Sequence, residues 1–170
     1  MYRKIIMNGV ENLGYIEDLR KIVGHRPLIL TGAVAVIVNY AGEILLQQRK
    51  YPKGYWGLPG GLMELGESAE ETAKREVFEE TRLKISRLQL LNVYSGPDYF
   101  VTAENGDQFY MVTIAYYTEH FKGDLFADPE ESVALEFFKS SCLPESIICG
   151  HFQIIKDFLD GPYKKNEKKT

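Results

Sequence analysis

Three glutamates constrain this chain more than any other feature. Glu76, Glu79 and Glu80 stand at i, i+3 and i+4 within Ser68 to Leu83 (SAEETAKREVFEETRL). Ala, Glu, Lys and Arg favour helix. Ser68 followed by Glu71 has capping-box spacing, which makes Ser68 the expected N-cap. At about 100° per residue the three acids share one sector about 100° wide. Like charges that close destabilise a helix, so something must compensate. A hard divalent cation with oxygen ligands does so directly.

The rest of the helical wheel weighs against a plain solvated acidic helix, which is the commoner explanation of a Glu-rich segment. Ala69, Thr72, Ala73 and Val77 fall on the same half as the three acids, while Glu70, Glu71, Lys74 and Arg75 fall on the other. Glu70–Lys74 and Glu71–Arg75 have the i, i+4 geometry of surface ion pairs. The ordinary pairs therefore have their own face, and Glu76 and Glu80 are expected to point toward the protein body. Ahead of the helix, Leu58-Pro59-Gly60-Gly61 can bring a backbone carbonyl close to a ligand or metal, because glycine has no Cβ to obstruct it. A tight turn explains the same residues, and the two readings are compatible.

The 170 residues suit one compact domain. A helix is expected over Gly14 to Val23, ending at Gly24. Leu28 to Tyr40 reads as a central strand, hairpin-linked through Ala41-Gly42 to Glu43–Arg49. Tyr51 to Glu64 is a Gly- and Pro-rich loop, followed by the acidic helix. Ile85 to Val101 carries one or two strands, and Asn105-Gly106 is a hairpin turn. Strands are expected over Asp107–Tyr117 and Val133–Phe138, with a closing helix over Pro144–Leu159. The division is an N-terminal helical extension (1–27), a main domain (28–160) and a flexible tail (161–170). Strands flanked by helices point to an α/β fold with a mixed sheet.

Composition excludes several classes. Apolar residues make up 45 %, with 11 Tyr and 9 Phe, which is ample for one core. No apolar run is long enough to span a bilayer, and Met1–Val10 lacks the pattern of a secretory signal. The expectation is therefore a cytoplasmic protein without membrane contact. Cys142 and Cys149 read as ordinary reduced thiols. A net charge of −4 argues against a dedicated nucleic-acid binder but not against an anionic small substrate.

The stretch Gly61 to Leu83 resembles the Nudix box: Gly, five residues, Glu, seven residues, then Arg-Glu-apolar-x-Glu-Glu-x-Gly-apolar. Gly61, Glu67, Arg75, Glu76, Val77, Glu79, Glu80 and Leu83 match. Arg82 departs, standing where the pattern has the glycine that ends the helix in a left-handed conformation. The resemblance implies a Nudix-like α/β/α sandwich with a mixed β-sheet, the catalytic helix at about 68–82, and coverage of Leu28 to Leu159.

It also implies roles. Glu76, Glu79 and Glu80 are implied ligands of Mg²⁺, with Mn²⁺ an alternative, and the Gly60 carbonyl is a further ligand. Arg75 would orient the glutamates. Glu67, at the helix entrance, is implied to be structural, through its charge at the positive end of the dipole. Glu131, or Glu130, would supply the general base or another ligand. The implied activity is Mg²⁺-dependent cleavage of a phosphoanhydride bond in a nucleoside diphosphate linked to another moiety. Nucleoside triphosphates and nucleotide sugars such as ADP-ribose both stay open. The alternative is a nucleotide-sensing domain without catalysis, which is expected to have lost box glutamates; here all are present.

Substrate contacts are read more loosely. Tyr51, Tyr55 and Trp56 either stack on a base or pack the loop onto the core. Arg49 either meets a phosphate or is solvated. Pro97 and Tyr99, 14 and 16 residues past Leu83, half meet two family hints of substrate preference and do not discriminate. A small nucleotide is the expected partner, and the sequence leaves a homodimer open.

Overall fold

The apolar run Ala33–Val38 lies in and just past a strand whose two faces are both covered. This strand, β1 (Leu28–Ile37), alternates between two cores. Val34, Val36 and Val38 pack with Ile154, Ile155 and Phe158 of α3 (Cys149–Asp160). Ala35 and Ile37 pack with Val77 of α2 (Ala69–Thr81), and Ala33 with Ala73 of the same helix. Small residues on that side let α2 approach closely. A strand covered on both faces reads as an unbroken apolar run rather than an alternating one. The computed structural model describes residues 14–50, 53–127 and 132–163.

β1 pairs in parallel with β8 (Gln108–Thr118), from Leu28↔Phe109 to Ile37↔Thr118, and antiparallel with β4 (Gly60–Leu62). β8 also carries β6 (Gln89–Tyr94) and β7 (Phe100–Thr102), both antiparallel, so the sheet is mixed. A second sheet has the order β10 (Ser132–Phe138), β2 (Ile44–Arg49), β3 (Trp56–Gly57). β5 (Lys84–Ser86) and β9 (His120–Lys122) form a two-stranded ribbon. The result is the expected sheet-and-helix sandwich, with α2 and α3 on different core clusters.

Three local expectations are revised. The hairpin after β1 is reduced to one bridge, Val38↔Ile44. β1 already has β4 and β8 on its two edges, so β2 has no edge to join and enters the second sheet. The closing helix starts at Cys149 rather than Pro144, because Ser146–Ile148 lies alongside β3: Trp56 N–H donates to Ser146 O at 2.8 Å and Ile148 N–H to Trp56 O at 2.9 Å. The loop 51–64 contains β3 and β4, each too short for a periodic signal.

Other turns match their sequence signals. Gly106 takes φ 85° in the β7–β8 turn, and Gly24 takes φ 64° after α1 (Tyr15–Val23). Arg20 of α1 ties that helix to the sheet, donating to Gln108 O at 2.9 Å. Among the described residues no helix is long and apolar enough to cross a membrane.

Candidate active site

Helix α2 begins as its sequence dictates. Ser68 N–H donates to Glu71 Oε2 at 2.9 Å, Glu71 N–H to Ser68 Oγ at 3.3 Å, and Lys74 pairs with Glu70 at 3.2 Å. Arg75 departs from the surface pairing with Glu71. Its Nε and Nη2 reach Glu67 at 2.6 and 2.9 Å, Nη1 reaches Glu76 and Glu79 at 2.8 and 3.1 Å, and Nη2 also reaches Leu62 O at 3.0 Å. Every guanidinium N–H thus has an acceptor, the planar bidentate use that arginine suits. Glu71 is drawn away because the capping box holds it.

Glu67 therefore acts through a side-chain partner rather than through the helix dipole. The Arg75 guanidinium holds its carboxyl well below the usual range, to about 2. Those hydrogen bonds in turn raise Arg75 further above its ordinary value. At any neutral pH, Arg75 is a permanent cation against Glu67, Glu76 and Glu79.

The glycine loop meets the helix at two points. Gly60 N–H donates to Glu80 Oε2 at 2.8 Å, and Glu80 is only 4 % exposed. A Cβ built on Gly61 would lie 2.5 Å from the Glu76 carboxylate, so this glycine leaves the room that Glu76 fills. Gly60 itself has φ 143° and backs onto β1 at Ala33 and Val34. Glu79 is the outermost of the three, with its side chain half-exposed.

Arg82 takes the conformation that glycine would. Its φ is 63° and ψ 7°, and its N–H closes on Phe78 O at 2.9 Å. Its guanidinium stands 5.6 Å from the Phe78 ring centroid. The helix exit is therefore kept despite the substitution.

Arg49, at the end of β2, donates from Nη2 to Gly60 O at 3.1 Å. Tyr55 is exposed. Trp56 packs against the α3-side core, edge-on to Phe138 at 4.8 Å. Tyr99 packs over Gly150 of α3. Tyr51, Glu130 and Glu131 lie outside the described residues. A residue not singled out by sequence is His151: its Nδ1 accepts from Leu58 N–H at 2.9 Å, and its ring covers Gly57. Removal from water pushes that imidazole down to about 3, with the nearby Arg49 charge adding to the effect. A lone histidine in a helix carries no sequence signal of such a role.

Among the described residues no three acidic, histidine or cysteine side chains converge tightly enough to enclose an ion. Glu76 and Glu79 both turn to Arg75, and Glu80 to Gly60 N–H. A concavity of about 770 Å³ lies elsewhere, lined by Asn39, Tyr40, His120, Lys139, Phe158 and Tyr163.

The NUDIX domain family matches residues 29–158. The chain belongs to the Nudix family. The family is that of hydrolases acting on phosphoanhydride bonds in nucleoside diphosphate-linked substrates, and this Nudix chain is such a hydrolase. It is 38 % identical over 147 residues to the ADP-ribose pyrophosphatase of Methanocaldococcus jannaschii, covering 84 % of this chain and 80 % of that one. It is 30 % identical over 135 residues to a putative 8-oxo-dGTP diphosphatase of Bacillus subtilis, covering 79 % and 83 %. The crystal structure of a MutT NUDIX hydrolase from Burkholderia pseudomallei superposes with a TM-score of 0.66 at 30 % identity, covering 76 % of this chain and 98 % of that one. Nudix hydrolases generally need a divalent metal, and this chain is expected to share that need.

Proposed function

We propose that this Nudix hydrolase cleaves ADP-ribose or a closely related nucleotide sugar, with Mg²⁺ held by Glu76, Glu79, Glu80 and the Gly60 carbonyl. The observation that carries the ion site is the junction of the glycine loop with α2: one carboxylate bonded to Gly60 N–H and another in the space left by Gly61. The donors are all hard oxygens, which suit Mg²⁺, with Mn²⁺ as an alternative. Glu76 and Glu79 both accept from one Arg75 nitrogen, at 2.8 and 3.1 Å, which holds the two carboxylates on the same side of the helix.

When bound, such an ion neutralises the diphosphate oxygens, orients the attacking water and stabilises the departing phosphate. Arg75 keeps Glu76 and Glu79 from splaying apart, and Glu67 and Leu62 O keep Arg75 in place. Gly60 N–H fixes the Glu80 carboxylate. Glu131, or Glu130, takes the proton of the attacking water. Tyr55 is exposed and stacks on a base, and Arg49, at the loop, meets a phosphate.

The substrate class rests on the relative named ADP-ribose pyrophosphatase, matched at higher identity and over more of this chain than the putative 8-oxo-dGTP diphosphatase. The second reading, an oxidised nucleoside triphosphate, rests on that second relative. Product analysis separates them. Incubation of ADP-ribose with Mg²⁺ is expected to give AMP and ribose 5-phosphate, with Glu80→Gln inactive. Faster conversion of 8-oxo-dGTP to a monophosphate and pyrophosphate would replace the first reading with the second.

A further inference from the structure

We propose that Arg49 guards the Gly60 carbonyl, occupying that oxygen in the metal-free protein and yielding it when a divalent ion arrives. The inference rests on the metal reading above and concerns how tightly the free enzyme binds its ion. Three observations carry it. Arg49 Nη2 donates to Gly60 O at 3.1 Å, so the carbonyl oxygen is already engaged by a cation. Arg49 Nε is buried and has no hydrogen-bond partner among the described residues. No carboxylate pairs with Arg49 among the described residues, although the residue is half-buried.

A guanidinium taken partly from water, with no counter-ion among the described residues, is held at a cost. It is retained here by the Gly60 carbonyl, one peptide unit on from the Gly60 N–H that donates to the Glu80 carboxylate. Residue Gly60 therefore meets Glu80 through its N–H and Arg49 through its carbonyl. A divalent ion on Gly60 O would stand about 2.1 Å from that oxygen, closer than the guanidinium nitrogen at 3.1 Å, and two cations on one oxygen repel. The carbonyl has a second lone pair, but this repulsion makes the two occupants compete for it. An Arg49 so displaced is a charged donor released at the mouth of the site, beside the phosphates of an arriving substrate.

The consequence is arithmetic. If the carbonyl is open a tenth of the time, the apparent dissociation constant of the ion is raised about tenfold. Removing the guanidinium removes that handicap.

The test is Mn²⁺ binding to the full chain without substrate, followed by electron paramagnetic resonance of the free ion. It compares wild type, Arg49→Met and Arg49→Gln, each checked for an unchanged melting temperature; Arg49→Gln serves if the methionine variant does not fold. Both are expected to bind Mn²⁺ about tenfold more tightly. In parallel, Mg²⁺ added to ¹³C-labelled wild type is expected to shift the Gly60 carbonyl resonance and the Arg49 Nε–H resonance together. Equal or weaker binding by the variants overturns the proposal and leaves the metal reading standing. Tighter binding with an unmoved Gly60 carbonyl also overturns it, since charge alone would then explain the gain. No binding by wild type at millimolar Mn²⁺ sinks the metal reading, and this proposal with it.

Discussion

Gly60 and Glu80 are joined by a 2.8 Å hydrogen bond from backbone amide to carboxylate, 20 residues apart in sequence. The bond makes the glycine loop and the last acidic residue of α2 a single unit. Because Glu80 is almost wholly buried, losing this acceptor would strand both a buried amide and the loop that presents the Gly60 carbonyl.

Glu80→Gln is the mildest probe of that unit. The amide oxygen of glutamine can still accept from Gly60 N–H, so the loop keeps its place while a negative charge disappears. Melting temperature is expected to change by less than about 4 °C. Turnover is expected to vanish. A variant that turns over near the wild-type rate would remove Glu80 from the proposed ion site.

Gly61→Ala tests the room left for Glu76. The new methyl would lie 2.5 Å from the carboxylate, so Glu76 must move. Misplacement by about 1 Å at a reacting centre can cost about 10²-fold, and a loss in kcat of that order is expected. Steady-state kinetics with circular dichroism would check it. Full activity would show that the Glu76 position is not critical.

The Glu67–Arg75 pair has a predictable acid limit. Glu67 is depressed to about 2 from an ordinary value of 4.5. Its contribution to stability is therefore complete above the unfolded value and declines as pH falls toward 2. Wild type is expected to melt higher than Glu67→Gln at pH 7, with the gap closing between pH 4.5 and 2. A gap that does not change across that window would show that Glu67 acts by shape rather than charge.

Arg82→Gly should stabilise. A non-glycine residue at φ 63° costs about 1 kcal/mol relative to glycine. The guanidinium–Phe78 contact returns part of that, about 0.5 kcal/mol at a surface site. A rise in melting temperature of about 1–2 °C is expected, without loss of activity. A fall would mean that the contacts of the arginine side chain outweigh the backbone strain.

His151→Ala leaves Leu58 N–H without its acceptor on a fully buried residue. A loss of about 1–3 kcal/mol in urea unfolding is expected, with His151→Gln in between. Because this imidazole titrates near 3, it is neutral from pH 5 to 8. Replacing it should therefore leave the shape of the pH–rate profile unchanged over that range. A lost limb in the profile would assign it a proton-transfer role.

Much of this protein was legible in residue order alone. The capping box at Ser68 and Glu71, the sector shared by Glu76, Glu79 and Glu80, and the unbroken apolar run of β1 depend on neighbours within a few residues, where helix and strand geometry fix who meets whom. What lies between distant segments was not legible. Arg75 was paired with Glu71 by its spacing, yet Glu67 and Leu62 O claim it, because the loop folds back over the helix. The β1–β2 hairpin is reduced to the Val38↔Ile44 bridge because β4 and β8 take both edges of β1. Arg49 on Gly60 O and His151 on Leu58 N–H join residues 11 and 93 positions apart. Local spacing decides which side chains share a face, and only the closed sandwich decides which buried donor finds which acceptor.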